Sequence, residues 1–426
     1  MSGAEASVPT RILPVHPQFA PAGAALPLTM SLTVATLVAF ALSAAALTAP
    51  FPPGPASLMT LHLLTTGVLV PVALSASMQL TGALFAPGPH PGRIAWLLPL
   101  AWAGGVMIPL GMDPLPAVLA PGGALLTVST VGVAAFVAPR LVRGDAASAP
   151  LRLGVGVSLG GILATELAGL RMAVSGPGAR ALGLHVALAA TSTLLPLLVA
   201  VSGQLFPMFA HAPPSPPAQW LRRVALTSLG ALGTVLAAAT GWGPLLPASL
   251  AVLGWGLALW VLEQERDYAR RHSRQRDPAV VGARLHALAL VVAAALGLGG
   301  ALFAAPSALA SAVTLAIVGG LAGSVLSYLR RILPFVLWQS LFRRHGPRIA
   351  LPKLDELRPR FPVAVLPSLW LAGAVILSAL PFTGPAPALT GGRPLLVLAA
   401  AALLGAFELL VGPVRAWRFD RAHRRR

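Results

Sequence analysis

Two histidines, His62 and His185, carry the clearest chemical signal in a chain of 426 residues that has no cysteine. Neutral imidazole binds haem iron or copper through a ring nitrogen, and paired His on facing helices is how helix bundles build metal sites. Each lies a few residues into an apolar run, at the same end of its span. His286 lies near the opposite end of another run, well over ~10 Å away along the bilayer normal at the helical rise. His16, His90, His211, His272, His345 and His423 fall in loops or at span ends, where solvation explains them. The ordinary alternative for His62 and His185 is hydrogen bonding between packed helices. Met59, Met78, Met107, Met172 and Met208 could serve as axial ligands, but Met in an apolar helix usually fills packing gaps. Without Cys, disulfides, zinc thiolates, iron–sulfur clusters and thioether-attached haem are excluded.

Two acids fall inside apolar runs, where a carboxylate is costly and is usually paired or functional. Glu166 has Arg171, His185 or His62 as candidate partners. Glu408 has Arg330 or Arg331 at comparable depth. Structural ion pairing is the plain reading of both, and proton or ion passage is the functional one. Gln79, Gln204, Thr65, Thr66, Ser192 and Thr193 would contribute to a polar path, although no continuous relay is legible. The glycine runs at 154–161 and 319–323 suit close helix packing. Neither is followed by the Lys-Ser/Thr of a phosphate loop, and no nucleophile triad or zinc spacing is present.

The elements that must position these residues are transmembrane helices. The chain is 56% hydrophobic and 10% charged, with mean hydropathy +0.80, whereas a soluble domain carries about 25% charged residues. Apolar runs long enough to span a bilayer cover roughly 28–49, 57–86, 93–112, 115–139, 152–172, 181–210, 220–241, 244–263, 282–304, 307–341, 363–382 and 394–414. Of 30 Lys and Arg, 25 fall in alternate connections and at the two termini. Arg171, Arg180 and Arg393 lie on the other side, and Arg330 and Arg331 lie within the tenth span. The positive-inside rule then places both termini in the cytoplasm. The expected organisation is a cytoplasmic tail at 1–27, one transmembrane domain at 28–415 and a basic cytoplasmic tail at 416–426. Residues 1–27 lack a basic stretch followed by an apolar core, so no cleaved signal peptide is expected. The net charge of +18 points to the bilayer and anionic lipid head groups rather than to nucleic acid, because the Arg residues sit at span ends.

An internal repeat organises the spans. Thr66, Leu69, Pro71, Ser77, Gln79 and Leu80 of the second span fall on Thr191, Leu194, Pro196, Ser202, Gln204 and Leu205 of the sixth, 125 residues on. Ile332-Leu333-Pro334-Phe335 of the tenth falls on Leu205-Phe206-Pro207-Met208, 127 residues on. Twelve spans therefore read as three pseudo-repeats of four, and no six-plus-six transporter repeat is found.

With this plan, and with the segments around Leu61-His62-Leu63, Gln204-Leu205-Phe206-Pro207 and Tyr328-Leu-Arg-Arg-Ile-Leu-Pro-Phe, the chain resembles haem–copper oxidase subunit I and NnrS-like membrane proteins. The resemblance implies an all-α, twelve-helix fold of that type in a bacterial inner membrane. It places His62 where the oxidases hold a low-spin haem and His185 in a span that carries a copper ligand. The rest of the oxidase ligand set is missing. Residues 307–341 and 220–241 contain no His, and the only tyrosines are Tyr268 and Tyr328. The expectation is a relative without oxygen-reductase activity that binds haem, with a redox, nitric-oxide-linked or accessory role beside a respiratory complex. The alternatives from other classes are a haem-free small-molecule or ion permease and a structural or assembly subunit.

Overall fold

The computed structural model describes residues 55–84, 94–112, 115–272, 277–345, 351–357, 365–379 and 393–423. Eleven apolar helical segments follow one another, here α1 to α11, matching the second to twelfth spans of the sequence. They are α1 (residues 55–84), α2 (Leu97–Met112), α3 (Leu119–Arg143), α4 (Ala149–Ser175), α5 (Ala179–Ala210) and α6 (Pro217–Thr240). After them come α7 (Leu245–Ala269), α8 (Pro278–Leu302), α9 (residues 306–345), α10 (Val365–Ala379) and α11 (Arg393–His423). Among the described residues, nine of these are long and apolar enough to cross a membrane, and α2 and α10 are shorter apolar helices. The expected first span, 28–49, lies outside the described residues. Helix α11 does not stop at 415 but continues to His423.

Outward faces carry bare Trp96, Leu229, Leu236 and Trp255. Large apolar side chains spread over many helices suit a hydrocarbon solvent, and the bundle is that of a multi-pass membrane protein. Consecutive helices run antiparallel. Gly230 meets Leu253 between α6 and α7, and Gly373 meets Leu398 between α10 and α11. Helices α9 and α11 run parallel, since Arg330 meets Glu408 and His345 meets Asp420.

Three helices form the centre. The apolar windows of α1, α5 and α9 are 67%, 72% and 72% buried, against 33–50% for the other six candidate spans. The same three helices are interrupted by wide π-helical turns, at Thr65–Leu69, Leu188–Ser192 and Leu315–Ala322. Such turns re-aim the side chains that flank them and recur at functional sites.

Neighbouring helices are built to fit these breaks. Gly105 of α2 lies on Thr66 and Gly161 of α4 lies on Ser192, where a Cβ would overlap the carbonyl oxygen. Donors from adjacent helices reach carbonyls at the breaks. Ser158 Oγ donates to Thr193, His286 Nδ1 to Gly319 and Trp370 Nε1 to Val318. Thr66 Oγ1 donates outward, to Gly105 of α2 at 2.6 Å. Buried main-chain groups must be paired in a dry interior, and here the neighbours help to pair them.

Candidate functional site

His62 and His185 lie together. Their rings are 6.3 Å apart between centroids and nearly parallel, with 12° between planes. Each is placed by its break: the wide turn of α1 begins at Thr65 and that of α5 at Leu188, three residues after the histidine in both cases. An extra residue in a turn rotates the following face by about 100°, so the histidine segments can face each other while the rest of each helix keeps its own packing.

Main-chain carbonyls fix the tautomers. His62 Nδ1 lies 2.8 Å from the Leu58 carbonyl and His185 Nδ1 lies 3.0 Å from the Thr165 carbonyl. A carbonyl only accepts, so both Nδ1 atoms carry the proton and both Nε2 atoms keep a lone pair. That is the form in which imidazole ligates a metal, with a second partner orienting the ring. Gly169 of α4 leaves the edge of His185 uncrowded, since a Cβ there would come within 3.2 Å of Cε1.

The two rings are stacked; a ring nitrogen ligates within its own ring plane, so both imidazoles would turn from this stack to meet one ion. Among the described residues no group of three or more His, Asp or Glu could hold an ion. Among the described residues the donor set is two neutral imidazoles, the kind of ligand that a haem takes.

The other expected residues fall elsewhere. Glu166 does not reach Arg171, His185 or His62. Its Oε1 accepts from Thr130 Oγ1 of α3 at 2.8 Å, and its Oε2 is buried without a hydrogen-bond partner among the described residues. Arg171 is exposed, five residues along the helix, which turns it about 140° from Glu166. Glu408 pairs with Arg330, Nε to Oε2 at 2.7 Å and Nη2 to Oε1 at 3.0 Å, with the two side chains 1% and 8% exposed. Arg331 does not share that partner. One position round the helix, it meets Asp277 at the start of α8, at 3.2 Å. Gln79 and Gln204 are half-buried, about 25 Å or more along their helices from His62 and His185.

His286, expected to be isolated from the pair, is buried at 1% exposure with its ring against Gly323 and its Nδ1 on Gly319. It supports the third break. Sequence reasoning missed the breaks themselves. It also missed a buried cluster between α6 and α7, in which Arg223 lies 3.7 Å from Glu263 and Ser215 donates to Glu263 at 3.2 Å. No protein-family model matches the chain, and no curated protein matches it.

Proposed function

We propose that this chain is a twelve-span bacterial inner-membrane protein on the plan of haem–copper oxidase subunit I and NnrS-like proteins, with both termini cytoplasmic. In this reading it binds one haem between His62 and His185 and serves a redox or respiratory accessory role rather than oxygen reduction. The pairing of the two imidazoles carries the reading: parallel rings 6.3 Å apart, each in a fixed tautomer, with no partner for either Nε2 among the described residues. Matched wide turns in the three most buried helices support the threefold plan. The described segments, with the apolar run at 28–49, support the count of twelve.

A haem there would supply one-electron chemistry. The protein's part is to hold two neutral imidazoles in fixed tautomers and to keep bulk water from the inner wall of the site. Leu63 and Leu64, next to His62, are buried, as is Leu188, three residues beyond His185. Held by His62 and His185, a haem would supply electron transfer, which agrees with an accessory role.

The test is an absorption spectrum of the full chain after expression with ample haem. A Soret band with the narrow visible bands of six-coordinate low-spin iron is expected, and His62→Ala and His185→Ala should each abolish those bands. A folded protein without a Soret band overturns the proposal. The unpartnered Oε2 of Glu166 favours a second reading, a haem-free permease. Loss of transport on Glu166→Gln with unchanged thermal stability would support it.

A further inference from the structure

The arginine-rich end of the bundle carries a second built feature, between the parallel helices α9 and α11. A small cavity, with room for about one water molecule, is lined by Arg330, Leu333, Pro334, Glu408 and Leu409. Among the described residues its polar groups are not all satisfied: Arg330 Nη1 is buried without a hydrogen-bond partner. Glu408 Oε2 lies close to Arg330 Nε yet off the N–H direction, so it too lacks a formed hydrogen bond. Proline has no N–H, so Pro334 cannot serve the carbonyl of Arg330 and Pro413 cannot serve that of Leu409, four residues back in each helix. Two helices thus withhold a main-chain donor beside the same cavity. An unpaired buried charge-bearing group is expensive, and a water with two to four partners is the usual remedy.

A short strap packs on the two helices beside this place, toward the arginine-rich end. The single 3₁₀ turn Leu354–Leu357 packs against both α9 and α11. Leu357 is 1% exposed and sits with Leu341 and Ala416. Its carbonyl packs close to Gly412, where a Cβ would come within 3.2 Å of it. Gly412 also lines the cavity. Arg415 Nη1 holds the strap down through the Glu356 carbonyl at 2.7 Å. Beyond the strap, His345 and Asp420 tie the two helix ends at 3.0 Å.

We propose that the cavity is a binding site for a single resident water, held by Arg330 and Glu408, and that the 351–357 strap is its gate. With the strap seated, the way to the water from the arginine-rich side is narrowed at Gly412. With the strap lifted, solvent from the arginine-rich side reaches the ion pair. The inference is independent of the haem reading, because neither histidine takes part.

The absence of cysteine gives a clean test in the full-length protein. Leu333→Cys places one thiol on the cavity wall, and its reaction with a small charged thiosulfonate reagent reports access. Reaction should be slow with the native strap and rise on the order of tenfold when Leu357→Ser loosens it, since reagent reaches a buried thiol only through local opening. Arg415→Gln, a surface change that removes the bond to Glu356, should raise the rate in the same direction if the double variant with Leu357→Ser fails to fold. A thiol at Val142, exposed beside Arg143 at the arginine-rich end of α3, should react equally in both backgrounds. Equal rates at Leu333→Cys with and without the strap changes would overturn the gate. Hydroxyl-radical footprinting of the native chain tests the water, because a bound water generates radicals in place. Modification of Leu333 or Leu409 is expected despite their burial, and no modification of either would overturn the resident water.

Discussion

The break in α9 and the breaks in α1 and α5 are built alike and used differently. All three are wide turns in central helices. Three residues before each turn stand His62, His185 and Ala312. The α9 turn forms with a methyl group at that position, so an imidazole there is not what makes a helix break. The third region has its own histidine, but on the neighbouring helix, where His286 braces the turn from outside through Gly319. One histidine is therefore explained by packing. His185 also bonds a neighbouring helix, through the Thr165 carbonyl, but it and His62 differ from His286 in lying with parallel rings and with no Nε2 partner among the described residues. A shared fold with unequal occupancy separates the scaffold from the site.

The largest effect expected from this contrast is on stability in the third region. His286→Ala removes a fully buried ring pressed against Gly323 and strips Gly319 of a donor. Cavity and lost bond together should cost about 3 kcal/mol, read as a lowered unfolding temperature of the full chain in detergent. A change as small as that from His62→Ala would erase the distinction between brace and ligand. The next effect is smaller. Trp370→Phe keeps most of the buried ring but leaves the Val318 carbonyl without its indole donor, and about 1–2 kcal/mol should be lost. Unfolding temperatures decide this as well. A neutral Trp370→Phe would mean that the α9 turn holds itself without help from α10.

Much of the scaffold was legible because composition and helix length are direct consequences of a hydrocarbon solvent. The eleven described helices fall where the apolar runs predict them, with ends that shift by a few residues. The ion pair of Glu408 with Arg330 was legible too, since depth along a span is read from residue count. Rotation around a helix is harder to read from an apolar sequence that offers many faces. That is why Glu166 was matched with Arg171 on another face, and why Arg331 was grouped with Glu408. The wide turns left only an indirect trace. His62 and His185 are 123 residues apart, whereas the matched segments after them are offset by 125. Both turns are five residues long, and the two extra residues of α5 form the bend at Thr193 and Leu194 that follows its turn. In α9 the turn itself lengthens to eight residues. A slip in a repeat, read as backbone geometry, is a signal for a broken helix.

The smallest stability effect is the one that sharpens the comparison most. His62 is half-buried, and its Nδ1 bonds to the carbonyl of Leu58, one turn back in its own helix. That carbonyl also lies four residues before the His62 N–H, its ordinary helical donor, so removing the imidazole strands no main-chain group. His62→Ala should therefore change the stability of the haem-free protein by no more than about 1 kcal/mol. On the proposed reading the same substitution should abolish the low-spin bands and lower the haem content, because one of the two imidazole ligands is gone. Paired measurements of unfolding temperature and haem content separate the outcomes. Loss of binding with intact stability marks a residue kept for a ligand. Loss of stability on the scale of His286→Ala would instead make His62 a third structural brace, and the difference between the two kinds of break would vanish.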